Sequence, residues 1–363
     1  MSAKRCVGAQ SICFAEDIYV LGRAAVVGKK EGNGPLRSFF DEIDETDLFG
    51  GENWNDAESR MMQKAAAMAI RKAGLTPKQI RLLFAGDLLG QLLASSFGAG
   101  EMPIPFLGVY GACSTMGESL LLASMAVGGG FADCAAAVTS SHFASAEKEF
   151  RFPLGYGNQR PLAATWTVTG SGALVVGDKT ALERSRTQAE ESESVRKERG
   201  GVQVVISGGT IGRVTDYGVK DKANMGACMA PAAAAVVEAH LQDFQRKPED
   251  YDKIITGDLG KVGAEIFADL LGQKGYRVES VQEDCGLLIY DNELQDTHSG
   301  GSGCGCSAVT LAGYLLDKLY EGEFQRILFV PTGALLSPVS ANEGSTIPGI
   351  AHAVVLERKK GGN

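Results

Sequence analysis

Two stretches of the sequence repeat the same order of signals. Arg81-Leu-Leu-Phe-Ala-Gly-Asp87-Leu reads as a buried strand. It is followed by a strand over 104–110, then Gly111-Ala-Cys113-Ser-Thr-Met-Gly, an apolar helix through Ala126, and the strand Cys134-Ala-Ala-Ala-Val-Thr-Ser140. Later, Lys253-Ile-Ile-Thr-Gly-Asp258-Leu is followed by Gly303-Cys-Gly-Cys306-Ser, an apolar helix through Leu319, and the strand Arg326-Ile-Leu-Phe-Val330. Each series closes on a run of small and β-branched residues, Ser171–Gly177 and Ala351–Glu357. A duplicated strand–helix–strand unit is the economical explanation, and it predicts a layered α/β fold. The halves are drawn at 1–177 and 202–363. Between them, 178–201 carries the charged run Glu190–Arg199, whose pattern predicts a solvated linker.

Local signals fill in the frame. A helix is expected over Asp56–Lys72, opening at Asn55/Asp56 and ending before Gly74. Its counterpart is expected to begin at Pro231, because a proline suits the first helical turn. His240, on that second helix, is expected to be a partly exposed structural residue. With 47 glycines in 363 residues, many tight turns and close backbone approaches are expected.

Composition narrows the function. The net charge is −9, with 35 basic and 44 acidic residues, which argues against non-specific nucleic-acid binding. The 8 cysteines form no C-x-x-C pair, and Cys304 with Cys306 is too tight for a zinc knuckle, so no metal site is expected. The start, MSAKRCVGAQSICF, lacks the pattern of a cleavable signal, and no run of about 18 uncharged apolar residues suggests a membrane span. Gly300-Gly-Ser-Gly-Cys-Gly has neither the lysine of a phosphate-binding loop nor a dinucleotide fingerprint, so no nucleotide cofactor is expected.

Chemistry points to Cys113. A strand precedes it and an apolar helix follows, so the thiol sits on a tight turn at a helix N-terminus, where the dipole and free N–H groups favour a thiolate. His142 follows the strand ending at Ser140, at the strand mouth where α/β sheets hold ligands. His298 precedes the glycine-rich turn expected to face Cys113. Both are candidate donors to a carboxylate, with an affinity that falls as pH rises through the histidine range. Of the basic residues Lys148, Arg151 and Arg160, Lys148 reads as solvated surface. Arg151, between Phe150 and Phe152, is the stronger candidate to bind an anion.

The decapeptide Gly111-Ala-Cys113-Ser-Thr-Met-Gly-Glu-Ser-Leu resembles the nucleophile elbow of the thiolase and ketoacyl-synthase superfamily. More narrowly, Ser140–Pro153, Asp216-Tyr-Gly with Asn224–Pro231, and Asp296–Ser307 resemble the stage V sporulation protein AD family, over roughly residues 11–358. The resemblance implies a thiolase-like αβαβα core and binding of dipicolinic acid (pyridine-2,6-dicarboxylate), with or without calcium. It also implies participation in uptake of that acid into the developing spore, beside membrane proteins of the uptake assembly. The expected place is peripheral, at the forespore inner membrane. A homodimer is expected through an edge at Cys134–Val138. By the same resemblance, the backbone N–H groups of Cys113 and Gly333 form an oxyanion hole, and the ligand site comprises Cys113, His142, Arg151, His298, Ser302 and Gly333.

The chain also departs from the enzymes. Ser302 stands where the second-half turn carries one basic or amide group, no histidine follows the strand ending at Asp258, and Val330-Pro-Thr-Gly333 lacks the second cysteine. These departures predict a binding protein on a catalytically degenerate fold. The alternative is an active acyltransferase using Cys113 with His142 or His298 as an unorthodox base.

Overall fold

The computed structural model describes residues 5–150, 160–189 and 201–360. The first half contributes β1 (Ser11–Gly28), α1 (Trp54–Lys72), β2 (Leu82–Asp87), α2 (Leu93–Gly100), β3 (Phe106–Gly108), α3 (Thr115–Gly128), β4 (Cys134–Ser141), α4 (Phe143–Phe150), β5 (Gly170–Gly177) and α5 (Lys179–Ala189). The second contributes β6 (Val202–Thr210), α6 (Met225–Phe244), β7 (Lys253–Thr256), α7 (Gly260–Gln273), β8 (Gln282–Asp284), α8 (Cys304–Thr310), α9 (Leu316–Glu321), β9 (Arg326–Val330) and β10 (Ala353–Lys360). A π-helical turn, Leu311–Leu315, joins α8 to α9.

Strand order shows the duplication directly. It runs β3-β2-β4-β5-β1 in the first half and β8-β7-β9-β10-β6 in the second, and β1 and β6 pair antiparallel to join the two arrays. Both arrays are covered on both faces, so their strands are apolar throughout rather than alternating with polar residues. The pleat sorts those residues into layers. In β5, Leu174 and Val176 face a central cluster shared by both halves, while Ala173 and Val175 face the outer cluster under α1. In β10, Val354 and Leu356 enter the same central cluster, while Ala353 and Val355 face α6. Helices α3 and α8 supply the middle of the sandwich through Leu120, Leu121, Val309 and Ala308. The order is therefore α1, sheet, α3 with α8, sheet, α6. Glycine permits the close central packing, since a Cβ at Gly172 would lie 2.4 Å from the Ala308 carbonyl.

Several local expectations are corrected. Helix α1 begins two residues earlier than expected, because Asn53 is its cap and accepts from the amides of Asn55 and Asp56. Helix α6 begins at Met225 under an Asn224 cap, which leaves Pro231 inside the helix. Its alanine-rich face is buried, and tertiary packing overrides the local cost of the proline. His240 is fully buried between Thr210 Oγ1 at 2.7 Å and the Tyr251 hydroxyl at 2.5 Å. Burial, aided by Arg246, pushes it down to about 3, so it is neutral. Cys134–Val138 lies in β4, which has neighbours on both sides; the exposed edge of the first half is β3. The charged run 190–199 lies outside the described residues. Among the described residues no helix is long and apolar enough to cross a membrane.

Candidate ligand-binding cleft at the cysteine elbow

The turn between β3 and α3 is locked by its own side chains. Ser114 Oγ donates to Gly111 O at 2.7 Å, and Thr115 Oγ1 donates to Ala112 O at 2.6 Å. Ala112 takes a positive φ of 50°, a conformation that L residues rarely adopt, and this turns Cys113 toward the second half. The Cys113 side chain is thereby presented at the C-terminal end of the strands, where α/β folds hold ligands.

Asp258 meets it there. Its carboxylate accepts from the Gly303 amide at 3.0 Å, the Thr332 hydroxyl at 2.7 Å and the Cys113 thiol. The turn that delivers Asp258 is fixed by a second buried carboxylate. Asp284 accepts from Thr256 Oγ1 at 2.6 Å, Leu259 N at 2.9 Å and Gly260 N at 3.1 Å. Burial raises Asp258 to about 7, even though its three donors oppose the shift. Burial, and then the Asp258 carboxylate, push the Cys113 thiol well above its ordinary range. Burial and an adjacent carboxylate thus outweigh the helix terminus, which alone would favour a thiolate.

Above this pair lies a narrow cleft whose cavity volume is about 30 Å³. Tyr110, Cys113, Phe150, Thr167 and Ser302 line it, with Met225 and Leu336 at its apolar end. Glu147 is the charged side chain among its described lining residues. Cys113 and Ser302 therefore come together as expected.

The other sequence candidates are elsewhere. His142 is buried, with Nε2 donating to Asp47 O at 2.8 Å and Nδ1 accepting from Ala144 N at 3.1 Å. Both nitrogens are used by backbone and burial lowers its pKa, so it is a neutral structural residue rather than a carboxylate donor. His298 bonds Pro161 O at 3.0 Å and lies 3.1 Å from Asp296, and it does not line the cleft. Gly333 packs behind the elbow, where a Cβ would come within 2.3 Å of Gly111 O. Arg151 lies outside the described residues. Arg160 donates to Asp296 and stands over the Trp166 ring at 4.7 Å, and Lys148 is exposed.

Asp258 was legible only as a landmark of the repeat. Its position just after β7, where the resemblance implies a basic group, was the available signal. Glu147 and Tyr110 gave none, because α4 and the end of β3 become cleft walls only through tertiary packing. Among the described residues no group of three or more His, Cys, Asp or Glu side chains is placed to hold a metal ion.

A duplicated five-strand array with a cysteine elbow at its centre defines a thiolase-like protein. Solved structures agree on the fold. The chain is similar to cerulenin-bound OleA of Xanthomonas campestris (16% identity, TM-score 0.56, 94% of this chain and 97% of that one). It is also similar to 3-oxoacyl-(acyl carrier protein) synthase III of Pseudomonas aeruginosa PAO1 (15% identity, TM-score 0.53, 94% and 98%). The family model for stage V sporulation protein AD matches residues 8–357. Stage V sporulation protein AD of Bacillus subtilis (strain 168) is 43% identical over 354 residues, 98% of each chain. The chain belongs to the stage V sporulation protein AD family.

The buried Asp258 makes stability depend on pH. Its folded pKa of about 7 lies above the ordinary value, so its contribution is complete below about pH 4 and is lost as pH rises through 7. Asp258→Asn should reduce the stability lost between pH 5 and pH 8 by about 1–3 kcal/mol, measured by urea unfolding at both values. An unchanged difference between the two pH values would show that Asp258 is already ionised in the fold.

Proposed function

We propose that this chain is a non-catalytic binding protein for dipicolinic acid. It takes part in uptake of that acid into the developing spore, beside membrane proteins of the uptake assembly at the forespore inner membrane. One observation carries the non-catalytic reading: Asp258 and Ser302 stand around Cys113, and burial, with the carboxylate second, keeps the thiol neutral. A neutral thiol is a weak nucleophile, and no histidine is among the described residues lining the cleft.

The cleft suits a flat, polar-edged ligand. Tyr110 and Phe150 offer aromatic walls, while Thr167, Ser302 and the Tyr110 hydroxyl offer neutral donors. Glu147 and Asp258 disfavour a bare dianion. Calcium held between the two carboxylates and the ring nitrogen would neutralise the ligand before it meets Asp258. Without calcium, binding should draw a proton onto Asp258, so affinity should fall as pH rises through about 7.

Calorimetry with dipicolinate, with and without calcium, tests the reading. The unmodified chain should bind one equivalent, and Cys113→Trp, which fills the cleft, should abolish binding while the protein stays folded. Intact-mass analysis after incubation with acyl-CoA esters should show no adduct on Cys113. A Cys113-dependent adduct with turnover would replace the binding reading with an acyltransferase that uses Asp258 as its base.

We also propose a homodimer through β3. Leu107 on this edge strand and Leu93 and Phe97 on neighbouring α2 are exposed, whereas the equivalent edge in the second half reads Gln282-Glu283-Asp284 and resists pairing. Sedimentation should give twice the 38.2 kDa chain mass, and Phe97→Glu with Leu107→Lys should give the chain mass. An unmodified chain sedimenting as a monomer at micromolar concentration would refute the interface.

A further inference from the structure

Helix α4 has two working faces. Ala146, Glu147 and Phe150 line the elbow cleft, and Ser145, Lys148 and Glu149 line a second cleft on the opposite side. The two sets interleave at helical spacing, so one short helix separates two cavities. The outer cleft, of about 390 Å³ and open to solvent, is bounded by Asn53, Trp54 and Asn55 at the start of α1 and by Leu89 after β2. Its size is that of a small-molecule site.

One of its polar groups is buried and unsatisfied, and the others are exposed to solvent. Ser145 is 6% exposed, and its Oγ is buried without a hydrogen-bond partner. A buried hydroxyl left in that condition costs stability unless something fills the position. Asn53 uses its Oδ1 to cap α1, which leaves its amide N–H groups free, and the Asn55 side chain bonds nothing among the described residues. Lys148 and Glu149 form no ion pair among the described residues. Trp54, 38% exposed, leans against His142 at 5.4 Å between ring centroids, which holds the indole in place.

Charge decides what fits. Among the described residues one cation and one anion line the cleft, so a dicarboxylate would meet Glu149 with its second charge. A molecule carrying one carboxylate and one ammonium is complementary to both. Trp54 and Leu89 add an apolar surface beside the charged pair. We propose that the outer cleft binds a zwitterionic α-amino acid with an apolar side chain. Its carboxylate meets Lys148 and the Ser145 hydroxyl, its ammonium meets Glu149 and the Asn55 carbonyl, and its side chain lies on Trp54. This site is separate from the elbow cleft and does not rest on the dipicolinate reading.

Trp54 provides the readout. The chain has two tryptophans, and Trp166→Phe leaves Trp54 as the sole reporter. Titration with L-leucine should give a saturable fluorescence change. 4-Methylpentanoic acid, which lacks the ammonium, and 3-methylbutylamine, which lacks the carboxylate, should each bind at least about tenfold more weakly. Lys148→Ala and Glu149→Ala should each weaken leucine binding by a similar factor while leaving dipicolinate calorimetry unchanged. Calorimetry with leucine on the unmodified chain keeps the test valid should Trp166→Phe disturb the fold. Absence of saturable leucine binding by both methods would overturn the proposal. So would equal binding of the two truncated analogues, or unchanged leucine affinity in the Lys148 and Glu149 variants.

Discussion

The carboxylate of Asp258 is the point on which the two halves and the chemistry of the cleft converge. It accepts from the Gly303 amide and the Thr332 hydroxyl of its own half and from the Cys113 thiol of the other. A buried carboxylate without such donors would be costly, so the contacts that satisfy it also fix where the two glycine-rich turns meet. Asp284, below it, holds the connecting turn by three donors of its own. Burial first, and then the same carboxylate, hold the thiol it touches in the neutral form. The elbow thiol is thereby held neutral as one wall of a narrow cleft.

Duplication supplied two such strand ends, and they have diverged. Asp87 ends β2 as Asp258 follows β7, but it is absorbed by local structure. It accepts from Leu89 N at 3.0 Å and from Ser95 N and Oγ at 2.9 and 2.7 Å. Glu58 from α1 is buried beside it, its pKa raised by burial and by the Asp87 charge. Around Asp258 the corresponding space opens into the elbow cleft. The edges diverged as well, one apolar at β3 and one charged at β8. A repeated fold thus offers equivalent positions that side chains can fill, open, expose or protect independently.

The architecture was legible because it rests on patterns local to the chain. Strands buried on both faces read as continuous apolar runs, and the elbow and the second-half turn announce themselves by glycine spacing. Those signals located Cys113 and Ser302 and the order of the layers. The histidines misled because residue type was read without its partners. His142 and His240 are each satisfied by groups distant in sequence, Asp47 O for one and Thr210 with Tyr251 for the other. Glu147, Lys148 and Ser145 could not be assigned to clefts from sequence, since the cavity each faces depends on how α4 packs. Pro231 misled for the opposite reason, because local preference yields when a buried helix face holds the chain together.

The account stands on the protonation state of Cys113. Thiolate absorbance near 240 nm, taken as the difference between the unmodified chain and Cys113→Ala across a pH titration, reads that state directly. The buried thiol beside Asp258 should contribute no thiolate signal below about pH 9, and Asp258→Asn should bring its ionisation to lower pH. A thiolate on Cys113 at pH 7 would contradict the account and restore the elbow as a nucleophile.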